Sequence, residues 1–211
     1  MRIVYLHGFA SSPQSSKARF FAERFAEAGV AFSAPLLDGG DFERLTITGQ
    51  LSVIETAASN GPVVLMGSSL GGYLAALFAA RHPEKIEKLV LLAPAFGFLE
   101  RFRGRLTPEQ LAQWKHEGKL MLYHYGSKTR QPLGFGLLED AAQYEPEPDF
   151  NQPGLILHGT GDDVVPVQGS QAFVNTHPNV RLRIFSSGHE LTDVLDLLWR
   201  ETAVFLQIVY K

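Results

Sequence analysis

Gly67-Ser68-Ser69-Leu70-Gly71 follows the apolar run Pro62-Val63-Val64-Leu65-Met66 and precedes Gly72-Tyr73-Leu74-Ala75-Ala76-Leu77-Phe78-Ala79-Ala80. A buried strand, a glycine-flanked serine and a helix rich in alanine and leucine thus come in immediate succession. So tight a strand-to-helix turn forces its central residue into a strained backbone conformation. It also lifts the Ser69 hydroxyl out of the sheet top, with the helix N-terminus behind it. Side chains at Gly67 or Gly71 would collide with the neighbouring strand and helix, so both positions require glycine. The bare G-x-S-x-G pattern arises readily by chance, and its place between a strand and a helix is what makes it informative.

The same alternation runs outward in both directions. Short runs rich in Val, Ile and Leu predict strands over 2–6, 30–36, 62–66, 86–93, 154–158 and 180–185, continuous enough to be covered on both faces of a parallel sheet. Helical patterns predict helices over 16–28, 45–59, 70–81 and 167–177, with a last one from about 191 to 208. Pro83 and Pro178 follow the third and fourth of these, as residues that cannot continue a helix. Right-handed crossovers between such units give a doubly wound α/β fold.

Residues 95–150 break the pattern. Thr107-Pro108-Glu109-Gln110 has the form of an N-cap, a proline at the first helical position and a capping-box partner, with Gly118 as the stop. Beyond it, 119–125 and 131–138 read equally as a loose hairpin or as further short helices. Residues 144–149, Tyr-Glu-Pro-Glu-Pro-Asp, read as a linker.

The chain has 211 residues, 45% hydrophobic and 19% charged, which fits one ordinary globular domain over 1–211 with 95–150 inserted. A net charge of -3 offers no basic surface for nucleic acid. The absence of cysteine excludes disulfides, thiolate chemistry and Cys-based metal sites. No stretch is long enough to span a bilayer and the opening apolar run is too short for a leader. The expectation is a soluble cytoplasmic protein, and nothing specifies an oligomeric state.

A serine hydroxyl needs an adjacent base, and the base needs a third group to orient it. Among seven histidines, His189 in Ser186-Ser187-Gly188-His189-Glu190 falls between the last strand and the last helix, at the carboxyl edge of the sheet. His82, His116, His124 and His177 fall on helix ends or in the insertion and read as surface or packing residues. Asp162 and Asp163 both follow the strand at 154–158; one would orient the histidine while the other caps the helix starting near Pro166. The two oxyanion donors expected are the backbone amides of Leu70, after the nucleophile, and Phe9, in the loop after the first strand. Gly8 would allow that loop its sharp turn, and His7 reads as a buried side chain bonding loop backbone.

Leu6-His7-Gly8-Phe9, Gly67-Ser68-Ser69-Leu70-Gly71-Gly72 and His158-Gly159-Thr160-Gly161-Asp162-Asp163-Val164-Val165-Pro166 resemble the oxyanion, elbow and acid motifs of the α/β-hydrolase superfamily. The opening His7-Gly8-Phe9-Ala10-Ser11-Ser12-Pro13 with Ser16 and Lys17 is similar to small bacterial esterases of the YqiA type. The elbow together with the Asp162-Asp163 pair is also similar to depalmitoylating thioesterases. The resemblance implies six parallel strands in order 2-1-3-4-5-6, a cap formed by 95–150, and Asp162 as the acid, fourth after the histidine of the His-Gly pair.

The resulting Ser69, Asp162, His189 triad points to hydrolysis of a small-molecule carboxylic ester, with thioester hydrolysis by the same machinery as the alternative and no metal or cofactor. Haloalkane or epoxide opening needs a carboxylate where Ser69 stands. A binding-only protein on this fold would need an idle triad. Trp114 and Phe96, with Phe98, Phe102, Tyr123, Tyr125 and Phe135, either pack the insertion onto the domain or form an apolar wall for the substrate. Arg101, Arg103, Arg105, Lys128 and Arg130 are either solvated surface or a receptor for an anionic substrate group.

Overall fold

The computed structural model describes residues 1–209. In chain order they form β1 (Arg2–Leu6), α1 (Ser16–Glu27), β2 (Ala31–Ser33), α2 (Ile47–Ala57), β3 (Val63–Ser68), α3 (Leu70–Arg81), β4 (Ile86–Leu92), α4 (Phe98–Arg103), α5 (Pro108–Glu117), β5 (Lys119–His124), β6 (Thr129–Gly134), α6 (Gly136–Ala141), β7 (Gly154–Gly159), α7 (Val167–Thr176), β8 (Val180–Phe185) and α8 (Leu195–Leu206). Six parallel strands form one sheet in the order β2-β1-β3-β4-β7-β8. This is the expected order 2-1-3-4-5-6, with the hairpin β5-β6 forming a separate antiparallel pair.

Apolar residues on successive positions serve opposite faces of this sheet. Val4 and Leu6 of β1, Val63 and Leu65 of β3, and Leu89 and Leu91 of β4 face a core shared with α2 and α3. Ile3 and Tyr5, Val64 and Met66, and Val90 and Leu92 face the other, shared with α1 and α8. The period-2 direction of strand side chains divides each of these three runs between two buried layers, so they lack the polar alternation that edge strand β8, Val-Arg-Leu-Arg-Ile-Phe, shows. Helix α3 is buried almost all round, which explains its lack of an amphipathic pattern.

Several boundaries differ from the sequence reading for local reasons. Pairing in β2 stops at Ser33, because this is an edge strand and Pro35 has no N–H to donate. Helix α2 begins at Ile47, capped by the Thr46 side chain accepting from the Gly49 N–H, and a separate 3-10 turn occupies 42–44. Helix α8 begins at Leu195, because Leu191 takes φ 54° and Val194 stands at the cap. The capping box at Thr107 and Gln110 forms, and Gly118 closes α5 at φ 74°. Residues 119–138 combine both readings, a hairpin followed by α6. Nor are residues 144–149 a free linker: Tyr73 donates to the Glu145 carbonyl at 2.9 Å, and the Gly97 N–H to the Pro146 carbonyl at 2.8 Å.

The inserted residues share the first core. Phe98, Trp114, Leu133, Leu137 and Leu138 join the apolar cluster that contains Leu65 and Leu74. Among the described residues, no helix is long and apolar enough to cross a membrane.

Candidate active site

Ser69 occupies the turn between β3 and α3 with φ 54° and ψ -117°, a left-handed conformation that a residue with a Cβ adopts only under constraint. The constraint is visible. Its N–H donates to the Leu92 carbonyl at 2.9 Å, while its own carbonyl accepts from Gly72, Tyr73 and Ala95. Both flanking glycines are sterically obligatory. A Cβ on Gly67 would lie 2.2 Å from the Gly71 carbonyl oxygen, and one on Gly71 would lie 2.1 Å from that of Leu6. The helix start is therefore pressed against the ends of β1 and β3, and the Ser69 hydroxyl is left at the carboxyl edge of the sheet.

His189, in the loop after β8, brings Nε2 to 3.1 Å from the Ser69 Oγ and Nδ1 to 2.7 Å from the Asp162 Oδ2. Asp162 follows β7 and has a fully buried side chain. Its two oxygens receive four donors. Oδ1 accepts from the Val164 and Val165 N–H groups, and Oδ2 from His189 and His158. Burial alone would raise this carboxyl, but the hydrogen bonds from His158, His189 and Val165 outweigh it and hold the group well below the usual carboxylate range. With Nδ1–H committed to Asp162, the His189 tautomer presents an Nε2 lone pair to the serine hydroxyl.

Two side chains absent from the sequence reading of the site support this corner. His158 is wholly buried. Its Nε2–H reaches Asp162 Oδ2 at 3.1 Å and the Val165 carbonyl at 2.8 Å, and its Nδ1 accepts from the Ser170 hydroxyl at 2.8 Å. Lys17 is also buried and donates to the Glu190 carbonyl at 2.7 Å, tying down the residue after His189. The four-residue spacing from His158 to Asp162 was the one available signal for the first; no local signal marks the second. Asp163 is exposed and caps nothing: the residue preceding α7 is Pro166, without a side-chain cap. Asp162 itself braces the loop, because its oxygens close a turn that Asp163 points away from.

The Leu70 amide opens α3, and the Phe9 amide lies in the loop after β1. Among the described residues neither donates to a backbone or side-chain acceptor. Gly8 does not make the sharp turn of that loop. The left-handed residue is Ala10, at φ 51°, and Gly8 instead packs beside the Ser69 turn, where a Cβ would stand 3.5 Å from that of Ser69. His7 is buried, its Nδ1 3.0 Å from the Gly8 carbonyl and its Nε2 accepting from the Leu37 N–H at 3.2 Å. The Phe9 ring packs against Phe42, Phe98 and Phe102, so α4 roofs the loop after β1. The hairpin holds the same loop from the other side: Tyr125 donates to the Ala10 carbonyl at 2.7 Å.

Trp114 and Phe96 both lie in the core. Trp114 is 1% exposed, donates its indole N–H to the Leu133 carbonyl at 2.9 Å, and packs between Phe102 and Phe135. Phe96 stacks on Phe173. His82 and His177 lie against Phe78 and Phe173, while His124 is buried edge-on to Phe42. Among the described residues, no three His, Asp or Glu side chains are grouped so as to hold a metal ion.

Residues 2–206 match the uncharacterised protein family UPF0227. The mitochondrial palmitoyl-protein thioesterase ABHD10 of Bos taurus is 28% identical over 213 residues, spanning 92% of this chain and 69% of that protein. The pimeloyl-(acyl-carrier protein) methyl ester esterase of Aromatoleum aromaticum is 24% identical over 228 residues, 89% of this chain and 90% of that protein. The solved structure of alpha/beta hydrolase domain-containing protein 10 from mouse superposes with a TM-score of 0.80 at 22% identity, covering 98% of this chain and 90% of that one. The fold is that of the α/β-hydrolases.

Proposed function

The chain belongs to the uncharacterised protein family UPF0227, and we propose that it is a serine carboxylic-ester hydrolase working through an acyl-enzyme on Ser69. The observation that carries this reading is the unbroken line from the Ser69 Oγ through His189 to Asp162, with links of 3.1 and 2.7 Å. His189 Nε2 takes the hydroxyl proton as Ser69 attacks the acyl carbon, and Asp162 stabilises the imidazolium that forms. The oxyanion is received by the Phe9 and Leu70 amides, the latter at the positive end of α3. His189 then protonates the departing alcohol, and water, activated the same way, releases the acid. No metal or organic cofactor enters the cycle.

Residues 95–150 act as a cap over this site within a single 1–211 domain, and the substrate is a small-molecule ester met in the cytoplasm. Thioester cleavage is the second reading, favoured by the name of the bovine relative and available to the same groups. A fluorophosphonate probe should label wild-type protein but not Ser69→Ala. A rate panel across p-nitrophenyl esters, aryl esters and acyl thioesters then separates the two readings. Hydrolysis that survives Ser69→Ala in folded protein would overturn both.

A further inference from the structure

Helix α4 places a cation beside the candidate site that, among the described residues, no hydrogen-bond acceptor engages. Phe98, Arg101, Phe102 and Arg105 recur at the spacing of one helical face. Phe98 and Phe102 lie on the Phe9 ring of the oxyanion loop. Arg105 reaches across to the acid loop, donating to the Val164 carbonyl at 2.8 Å, two residues beyond Asp162. Arg101 stands between them. A Cβ on Gly97 would lie 3.7 Å from its Nη2, and Gly97 is two residues beyond Ala95, whose N–H bonds the Ser69 carbonyl at 3.0 Å. The Arg101 guanidinium is thus bracketed by the nucleophile turn on one side and the acid loop on the other.

Its Nε is buried and, among the described residues, has no hydrogen-bond partner. Among the described residues it forms no ion pair either, while Asp162, whose charge it feels, is already saturated by its four donors. Burial, and then the neighbouring Arg105, lower its proton affinity below the ordinary arginine value; Asp162 and Glu147 offset this only in part. A leucine or methionine could fill the same place without stranding a buried donor, which is itself destabilising. Arg103, on the opposite side of α4, is exposed, and Arg130 is engaged by the Met121 carbonyl in the hairpin.

We propose that Arg101 is the specificity residue of this site and that the natural substrate is an ester bearing a carboxylate, received by the Arg101 guanidinium. The proposal rests on Ser69 being the nucleophile of an esterase. A carboxylate rather than a phosphate is favoured because one planar guanidinium matches one negative charge in its two-pronged geometry, whereas a dianion would ask for more cations.

The test compares two isosteric esters, 4-carboxyphenyl butanoate and 4-carbamoylphenyl butanoate, with a matching pair carrying the carboxylate or carboxamide at the far end of the acyl chain. Titration calorimetry on Ser69→Ala should show one carboxylate ester binding about tenfold more tightly than its amide twin, by the strength of a charged hydrogen-bonded pair. The preference should shrink with added salt and vanish in Ser69→Ala/Arg101→Met. In the enzyme with Ser69 intact, Arg101→Met should lower the carboxylate-to-carboxamide ratio of kcat/KM by a similar factor, mainly through KM, and Arg101→Lys should restore part of it. Equal binding within both pairs, or an equal loss on charged and neutral esters in Arg101→Met, overturns the proposal. Charge-selective binding without turnover of any ester would instead sink the esterase reading and leave the Arg101 subsite standing.

Discussion

The acid corner and the roof helix treat buried charge in opposite ways. At Asp162 the protein surrounds a carboxylate with two backbone amides and two imidazoles, so that every lone pair is taken and one rotamer is possible. At Arg101 it half-buries a guanidinium on the helix above and, among the described residues, gives the buried Nε no acceptor. A charge satisfied from within orients its neighbours, as Asp162 orients His189. One left unsatisfied stays available to whatever enters from outside. The contrast separates machinery that must be rigid before substrate arrives from a surface that is completed only when it does.

The most severe way to strain this contrast is to remove the nucleophile. Ser69→Ala should lower kcat on any accepted ester by on the order of 10⁴–10⁶-fold. Its thermal melting should stay close to wild type, since the side chain makes one part-buried hydrogen bond, to His189.

Asp162→Asn comes next. An amide offers the wrong partner to His189 and should cost on the order of 10³–10⁴-fold in rate, whereas exposed Asp163→Asn should stay within about twofold. The reverse ranking, measured on the same ester, would move the acid to Asp163 and dissolve the difference between the two regions.

Trp114→Ala probes the roof side. Its indole lies in the core, so the expected loss is in stability, about 3–5 kcal/mol by denaturant unfolding. Acyl-chain preference should not change, and a selective change would make Trp114 part of the substrate wall after all.

The smallest effect is in pH. Because its carboxyl is depressed in the folded state, Asp162 contributes stability that is complete above the ordinary aspartate value of 3.8 and lost as pH falls through the lower folded value. The gap in denaturant midpoint between wild type and Asp162→Asn should therefore hold steady down to about pH 4 and narrow below it. Activity should fail earlier on acidification, since a protonated His189 cannot accept the serine proton. An activity profile that stays flat into acid would deny His189 the role of base.

What could be read from the chain divides along the same line. The strands leading to Ser69 and Asp162 are continuous apolar runs closed by glycine or polar residues, and local composition suffices to place such runs in a parallel sheet; the edge strand before His189 alternates with arginine but keeps its Val, Leu and Ile. The Thr107 cap and the bounds of α3 and β8 were legible for the same reason: each signal lies within a few residues of its effect. The partners of His158 and Lys17 come from elements far away in the chain, so their support of the acid and base loops was not visible. Lys17 meets Glu190 across 173 positions. Nor could composition decide which of five cations in the insertion sits over the site, because that depends on how α4 is rotated. The hairpin stayed ambiguous because Pro132 and Gly134 lie within β6, where such residues ordinarily argue against a strand.

The carbonyl of Ala10, hooked by the Tyr125 amide from the hairpin, ties the residue next to Phe9 to a mostly exposed two-stranded element outside the main sheet. Fraying of that hairpin under mild heat would slacken the loop while the six strands stayed intact. Loss of function on warming is then a local event, reversible on cooling, that precedes the cooperative melting of the whole chain.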